Sequence, residues 1–233
     1  MLAPVLLLGV GVVGLAGPGD PAGAAGAKSA GGHVVTGGQA TVGRARLDVS
    51  SGFGTIVVSA NRPGAALYRV STPARARVLP VVSRPSGAVR IGSRSSGHGG
   101  PSVIHIQLAR GVRWTLDLDG GASAETVDMT DGEVASVDVG AGVSSLTLAM
   151  PAADGTLPVR LQAGASSMQM TAPAGPPAQV QALSGAASIT LDGVAHTGVA
   201  GGSVFTDPGW TSATNRYSVV LASGVSSFRL SRS

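Results

Sequence analysis

The sequence predicts an all-β chain, a single elongated β-solenoid (β-helix-like) with coils of about 21 residues. Three observations predict it: an unusual composition, a repeat centred on glycines, and the lack of any amphipathic helical stretch. Gly and Pro supply 36 and 14 of the 233 residues, charged residues only 12% and aromatics 3%. Mean hydropathy is nevertheless +0.32 and 43% of residues are hydrophobic, which excludes a polar disordered tail. Small apolar side chains with few rings suit thin stacked layers better than a bulky core. The absence of cysteine removes a disulfide framework, a thiolate nucleophile and zinc–thiolate sites.

The repeat is read from glycines. Apolar residues stand five and three positions before Gly52, Gly121, Gly142, Gly164, Gly185 and Gly224, as in Leu47/Val49, Leu116/Leu118 and Val137/Val139. Four and six positions after the glycine come Ile56/Val58, Leu146/Leu148, Met168/Met170, Ile189/Leu191 and Phe228/Leu230. The copy at Gly121 departs, with Glu125 and Val127 in those places. Each copy reads as strand, glycine turn, strand, with alternation on both sides. From Gly121 to Gly185 the spacings are 21, 22 and 21 residues, and the next gap of 39 to Gly224 is close to two periods. A coil this short cannot bury its own apolar face, so neighbours must stack. Ser144-Ser145, Ser166-Ser167 and Ser226-Ser227 follow the glycines as tightly stacking turns. No His or acid recurs with them, and no G-x-S-x-G elbow occurs.

The flanks are less regular. Residues 1–17 are expected to be a signal peptide or membrane anchor, because Leu2 to Ala16 is an almost unbroken apolar run. The literal Gly9-Val-Gly11-Val-Val-Gly14 inside it lacks the strand, helix and distant acid of a dinucleotide site. Residues 18–40 read as a flexible linker and 41–233 as the β-solenoid domain. Within it, 73–86 and 92–101 read as Pro- and Gly-rich loops, and 194–216 as an inserted loop before the last strand pair.

The segment Gly111-Val-Arg-Trp-Thr-Leu-Asp-Leu-Asp-Gly-Gly-Ala-Ser123, followed by Val137-Asp-Val-Gly-Ala-Gly-Val-Ser-Ser-Leu-Thr-Leu-Ala-Met-Pro151, resembles a bacterial family of β-solenoids. It is the family of putative adhesins and LiaF-type (cell-wall-active antibiotics response) C-terminal domains. The resemblance covers about residues 40–233 and rests on structural repeats. It implies a non-catalytic domain of the cell envelope, in some members tied to membrane helices and to sensing of cell-wall stress. It supplies no catalytic residues, and the short apolar start departs from the multi-helix part of LiaF-type proteins.

Charge is unevenly spread. Residues 41–113 hold 11 Arg against Asp48, whereas 114–193 hold nine acids against Arg160. Three readings follow: local neutralisation on a solvated surface, contact with a polyanion such as teichoic acid or anionic lipid, and head-to-tail self-association. The polyanion reading assigns contact to Arg62 (beside Pro63), Arg69, Arg75, Arg77, Arg84, Arg90 and Arg94. Nucleic acid is the least suited polyanion, since seven aromatics in 233 residues leave few stacking platforms. Other partners are an envelope protein, with Trp210 as the contact, and a membrane through residues 2–16.

An enzymatic alternative rests on one column. Asp48, Asp117, Asp138, Arg160, Gln181 and Val220 share the outward position between paired apolar residues. Stacked Asp117 and Asp138 would lie about 5 Å apart, a spacing compatible with retaining glycoside hydrolysis. An exposed Asp-Asp-Arg ladder is the plainer reading, with Arg160 offsetting the like charges. Asp128, Asp131 and Glu133 read as an acidic turn without EF-hand spacing. His33, His98, His105 and His196 lack metal spacing, and only His105 sits in a strand pattern, facing solvent. Trp114 is expected to pack at the start of a coil. No cofactor or metal is implied.

Overall fold

The alternation about each glycine folds into two strands that face each other across a thin apolar layer. The computed structural model describes residues 28–29, 32–61 and 64–233. The apolar run 2–16 and Arg62 lie outside them.

Lys28–Ser29 (β1) and Gly32–Gln39 (β2) come first, then the pair Arg44–Val49 (β3) and Phe53–Asn61 (β4) around Gly52. Ala66–Pro73 (β5) and Val78–Ser83 (β6) precede the pair Val89–Ser95 (β7) and Val103–Ala109 (β8). Four pairs follow in sequence: Arg113–Leu118 (β9) with Ala122–Asp128 (β10), Glu133–Val139 (β11) with Val143–Ala149 (β12), Thr156–Leu161 (β13) with Ala165–Ala172 (β14), and Ala178–Ala182 (β15) with Ala186–Leu191 (β16). Val194–Val199 (β17) and Ser203–Thr206 (β18) separate these from the last pair, Arg216–Leu221 (β19) and Val225–Arg232 (β20).

The second strands of the pairs join an 11-stranded sheet ordered β1-β2-β5-β8-β4-β10-β12-β14-β20-β16-β17. The first strands join a 9-stranded sheet ordered β18-β15-β19-β13-β11-β9-β3-β7-β6. Both sheets are mixed: a central block of parallel strands is flanked by antiparallel ones. No helix among the described residues is long and apolar enough to cross a membrane.

The all-β class is as expected, but chain order does not run straight through the stack. The pairs lie in the order β7/β8, β3/β4, β9/β10, β11/β12, β13/β14, β19/β20, β15/β16. The first two and the last two are thus exchanged relative to the sequence. Antiparallel strands close both ends: β5 beyond β8 and β6 beyond β7, β17 beyond β16 and β18 beyond β15.

Three loop expectations are corrected. The expected linker 18–40 ends in β2, which pairs antiparallel with β5. Its glycines serve close approach, since a Cβ on Gly37 would stand 2.5 Å from the Tyr68 hydroxyl. The expected loop 73–86 contains β6, and the expected insertion 194–216 contains β17 and β18, which cover the terminal pair.

Inside, the columns follow the spacing from glycine. One row of the larger sheet reads Ile104, Ile56, Glu125, Leu146, Met168, Phe228, Ile189 from strand to strand. The next reads Ile106, Val58, Val127, Leu148, Met170, Leu230, Leu191. All but Leu191, which is half-buried, are withdrawn from solvent. The glycine turns stack too: a Cβ on Gly52 would meet the Gly121 carbonyl at 3.1 Å, and one on Gly121 the Gly142 carbonyl at 3.3 Å. Trp114 is fully buried and donates its indole N–H to the Ala109 carbonyl at 3.0 Å, meeting the need of a buried ring nitrogen for a partner.

Glu125 is the exception in its row. It is 2% exposed between Ile56 and Leu146, and its Oε2 has no hydrogen-bond partner. Burial pushes its carboxyl up to about 7, because a carboxylate loses its hydration there. The folded chain therefore holds a proton that the unfolded chain releases near 4.5. Stability should fall as pH rises from about 4.5 to about 7 and level off above, by roughly 3 kcal/mol in all. Denaturant titrations across that range check it, and E125L should remove most of the slope, leaving the smaller share of the buried Asp117 carboxyl. Leu148 and Thr147 test the two faces of one strand. L148A should cost about 2–5 kcal/mol, whereas T147A on the outer face should stay within about 0.5 kcal/mol.

Candidate functional site

The register that builds the core also fixes the outer faces. Across the 9-stranded sheet one outward row reads Ser83, Arg90, Asp48, Asp117, Asp138, Arg160, Val220, Gln181, Val204. Asp117 and Asp138 are thus neighbours, as the column predicts, but Asp48 on the other side of Asp117 makes the run three carboxylates long. Like charges in adjacent strands repel, and the relief comes from side chains other than the expected one. Arg90 Nε donates to Asp48 Oδ2 at 2.7 Å, and Arg46 Nε lies 2.5 Å from Asp117 Oδ2. Asp138 accepts from Gln162 Nε2 at 3.3 Å, while Arg160 makes no ion pair with it. Burial is the main force pushing the Asp117 carboxyl above its usual range; Arg46 opposes it, and Asp119 and Asp138 add to it.

This arrangement engages the two candidate catalytic carboxylates with stabilising partners. Four open grooves among the described residues are lined by other side chains, and none of these four takes in Asp117 or Asp138.

The arginines expected to contact a polyanion do not share one face. Arg77, Arg90 and Arg94 lie along β6 and β7 or their ends in the smaller sheet, with Arg90 held by Asp48 and Arg77 donating to the Gly100 carbonyl at 3.1 Å. Arg75 is exposed in the turn after β5. Arg84 precedes the Pro85–Gly87 turn, where its guanidinium would stand 3.2 Å from a Cβ on Gly38. There it opposes the burial that raises the Tyr68 hydroxyl. Arg69 points out from the larger sheet, opposite Gln107 on β8 and Thr36 on β2.

Elsewhere, three arginines are matched with acids. Arg110 pairs with Asp131 at 2.5 Å and Arg113 with the Asp154 carboxylate and carbonyl. Arg232 bridges Asp207 at 2.8 Å and Asp192 at 3.4 Å. Asp128 accepts from the backbone N–H of Thr130 at 3.2 Å. Among the described residues no group of three or more His, Asp or Glu is placed to hold a metal ion.

Trp210, the expected partner contact, is half-buried and engaged within its own loop. Its Nε1 donates to the Tyr217 carbonyl at 2.8 Å, and the Arg216 guanidinium lies 4.5 Å from its ring centre, a cation–π distance. Sequence reasoning noticed the departure at Glu125 without seeing its burial, and it missed Arg46 as the partner of Asp117. The signal for Arg46 was its position two residues before Asp48, on the same outward face.

No protein-family model matches the sequence, and no curated protein matches it. Two solved structures align with the chain. A putative cell adhesion protein from Clostridium sporogenes ATCC 15579 aligns over 87% of this chain and 99% of its own, at 10% identity and a TM-score of 0.60. A putative adhesin from Bacteroides fragilis NCTC 9343 aligns over 84% of this chain and 96% of its own, at 9% identity and a TM-score of 0.22. The first of these likenesses shows that the chain shares the two-sheet fold of that Clostridium protein across nearly its whole described length.

Proposed function

We infer that the protein is a non-catalytic module of the cell envelope or cell surface, acting by contact in the manner of an adhesin. Its parallel strand pairs serve as the coils of a solenoid that displays two broad, regular outer faces. The observation that carries the reading is the fold shared with the putative cell adhesion protein of Clostridium sporogenes at a TM-score of 0.60.

The charge distribution supports a polyanionic partner in the envelope. Arg46, Arg90, Arg110, Arg113 and Arg232 are ion-paired, whereas Arg69, Arg75, Arg84 and Arg94 gather at the β5–β7 end with no ion pair among the described residues and few acids near them in the chain. A surplus of one sign at one end raises the local concentration of the opposite sign.

Co-sedimentation of the full chain with purified cell walls, over a salt series, tests the reading. Retention should be strong at low salt and drop by about tenfold or more at physiological salt, as for a handful of released counterions. Replacing Arg69, Arg84 and Arg94 together by Ala should remove it without lowering thermal stability. A chain that stays in the supernatant even at low salt overturns the reading.

A further inference from the structure

We propose that the groove across β2, β5 and β8 on the outer face of the larger sheet is a binding site for the phosphodiester groups of a chain-like, sugar- or polyol-phosphate polymer. The proposal rests on the contact reading above and gives it a place and a ligand chemistry.

The groove is open, about 410 Å³, and lined among others by Val34, Arg69, Ser71, Pro73 and His105. Strand register sets two outward rows across it. One runs Thr36, Arg69, Gln107, Ser59, and the other Val34, Ser71, His105, Val57. Arg69 and His105 are therefore diagonal neighbours on antiparallel strands, about 7–8 Å apart at the backbone and within joint reach of one tetrahedral anion. Ser71 lies directly opposite His105, and Thr36 and Gln107 flank Arg69, so hydrogen-bond donors cluster in adjacent rows. Arg69 and His105 are exposed, and neither side chain has a hydrogen bond or ion pair within the described protein.

The surroundings decide the sign of the ligand. No Asp or Glu occurs in β2, β4, β5 or β8, four adjacent strands of the larger sheet. Arg69 thus keeps its full attraction for an anion, with no built-in carboxylate to displace. A second open groove, about 350 Å³, also holds arginines, Arg44 and Arg46. Arg46 there is already bound to Asp117, and the carboxylate ladder runs one row away.

The shape decides between a polymer and a membrane surface. An open groove on a flat sheet can receive a thin chain lengthwise. Beside Arg69 and His105 the outward side chains of these rows are polar or short (Thr36, Gln107, Ser59, Ser71, Val34, Val57), and no Trp, Tyr or Phe stands among them to enter a lipid interface. One guanidinium and one imidazole make a weak site, so affinity should grow with the number of repeating phosphates.

The test uses the full chain with poly(glycerol phosphate), inorganic phosphate and phosphatidylglycerol vesicles as separate probes, read by amide and imidazole NMR shifts and by calorimetry. The polymer should shift Ser71, His105 and their neighbours, and R69A and H105A should each weaken it about tenfold, the worth of one charge-assisted hydrogen bond. R94A, on the other sheet, should leave it unchanged. Shifts that map elsewhere, or an R69A chain that binds normally, overturn the proposal. Equal binding of inorganic phosphate per phosphate group overturns the polymer assignment, as does binding to vesicles alone. If R69A and H105A chains still sediment with cell walls, the groove fails while the contact reading stands. If the native chain ignores walls but the polymer shifts His105, the contact reading fails while the groove stands.

Discussion

Everything in this protein depends on one constraint: a strand pair with two inward apolar residues on each strand cannot bury them alone. Leu47, Val49, Ile56 and Val58 make a layer one strand spacing thick, and each reaches 0% exposure only because other pairs lie on both sides. The layer is thin because the inward residues are mostly Val, Leu, Ile, Met and Ala, so the two sheets approach closely. That forces register: a slip by one residue would turn a whole apolar row outward. Seven pairs keep the same alignment, and the turns at Gly52, Gly121, Gly142, Gly164 and Gly224 stack carbonyl against Cα as a result.

Fixed register has an electrostatic consequence on the outer faces. Because each outward position repeats every strand, a residue type that recurs in the repeat is brought against itself. Asp48, Asp117 and Asp138 are such a case, and their repulsion is built in by the same alignment that buries Leu47, Leu116 and Val137. The compensating arginines differ in origin: Arg90 stands in the row itself, in register with Asp48 on the neighbouring pair, and Arg46 lies one step along the strand. Arg160, at the other end of the carboxylate run, makes no such pair, since a long exposed side chain can reach water as readily as its neighbour.

The inward columns were legible in the sequence because two signals coincided, alternation within each strand and a near-constant distance from glycine. The order of the pairs was not. Each pair presents nearly the same apolar edge to any other, so the repeat says that pairs stack and not which pair meets which. The connections decide: residues 192–215 carry the chain out through β17 and β18 and back, which lets β19/β20 enter between β13/β14 and β15/β16. The terminal strands were hidden for a different reason. β17 pairs on one side only and β2 has just the two-residue β1 beyond it, and they carry Gly37, Gly38 and Gly198, so they lack the doubly buried apolar pattern that marks a central strand. At the candidate sites, charge counts along the chain found the basic half but not its division between two faces, because that depends on strand parity in β5, β6 and β7.

Capping turns those ends from a hazard into a usable surface. An open parallel stack would offer bare edges to any passing strand. Here β6 closes one edge with Pro80 in its middle, and its exposed face carries few apolar groups beyond Val81. The strands that close the same end of the larger sheet, β2 and β5, need only fit the core on one side, so their outward residues are free of the repeat. Freed positions hold Arg69 and Thr36, and the neighbouring β8 contributes His105. The repeat thus supplies a rigid platform whose own outward rows are bound by its internal register. The end where the repeat stops is where side chains can be chosen for a partner instead.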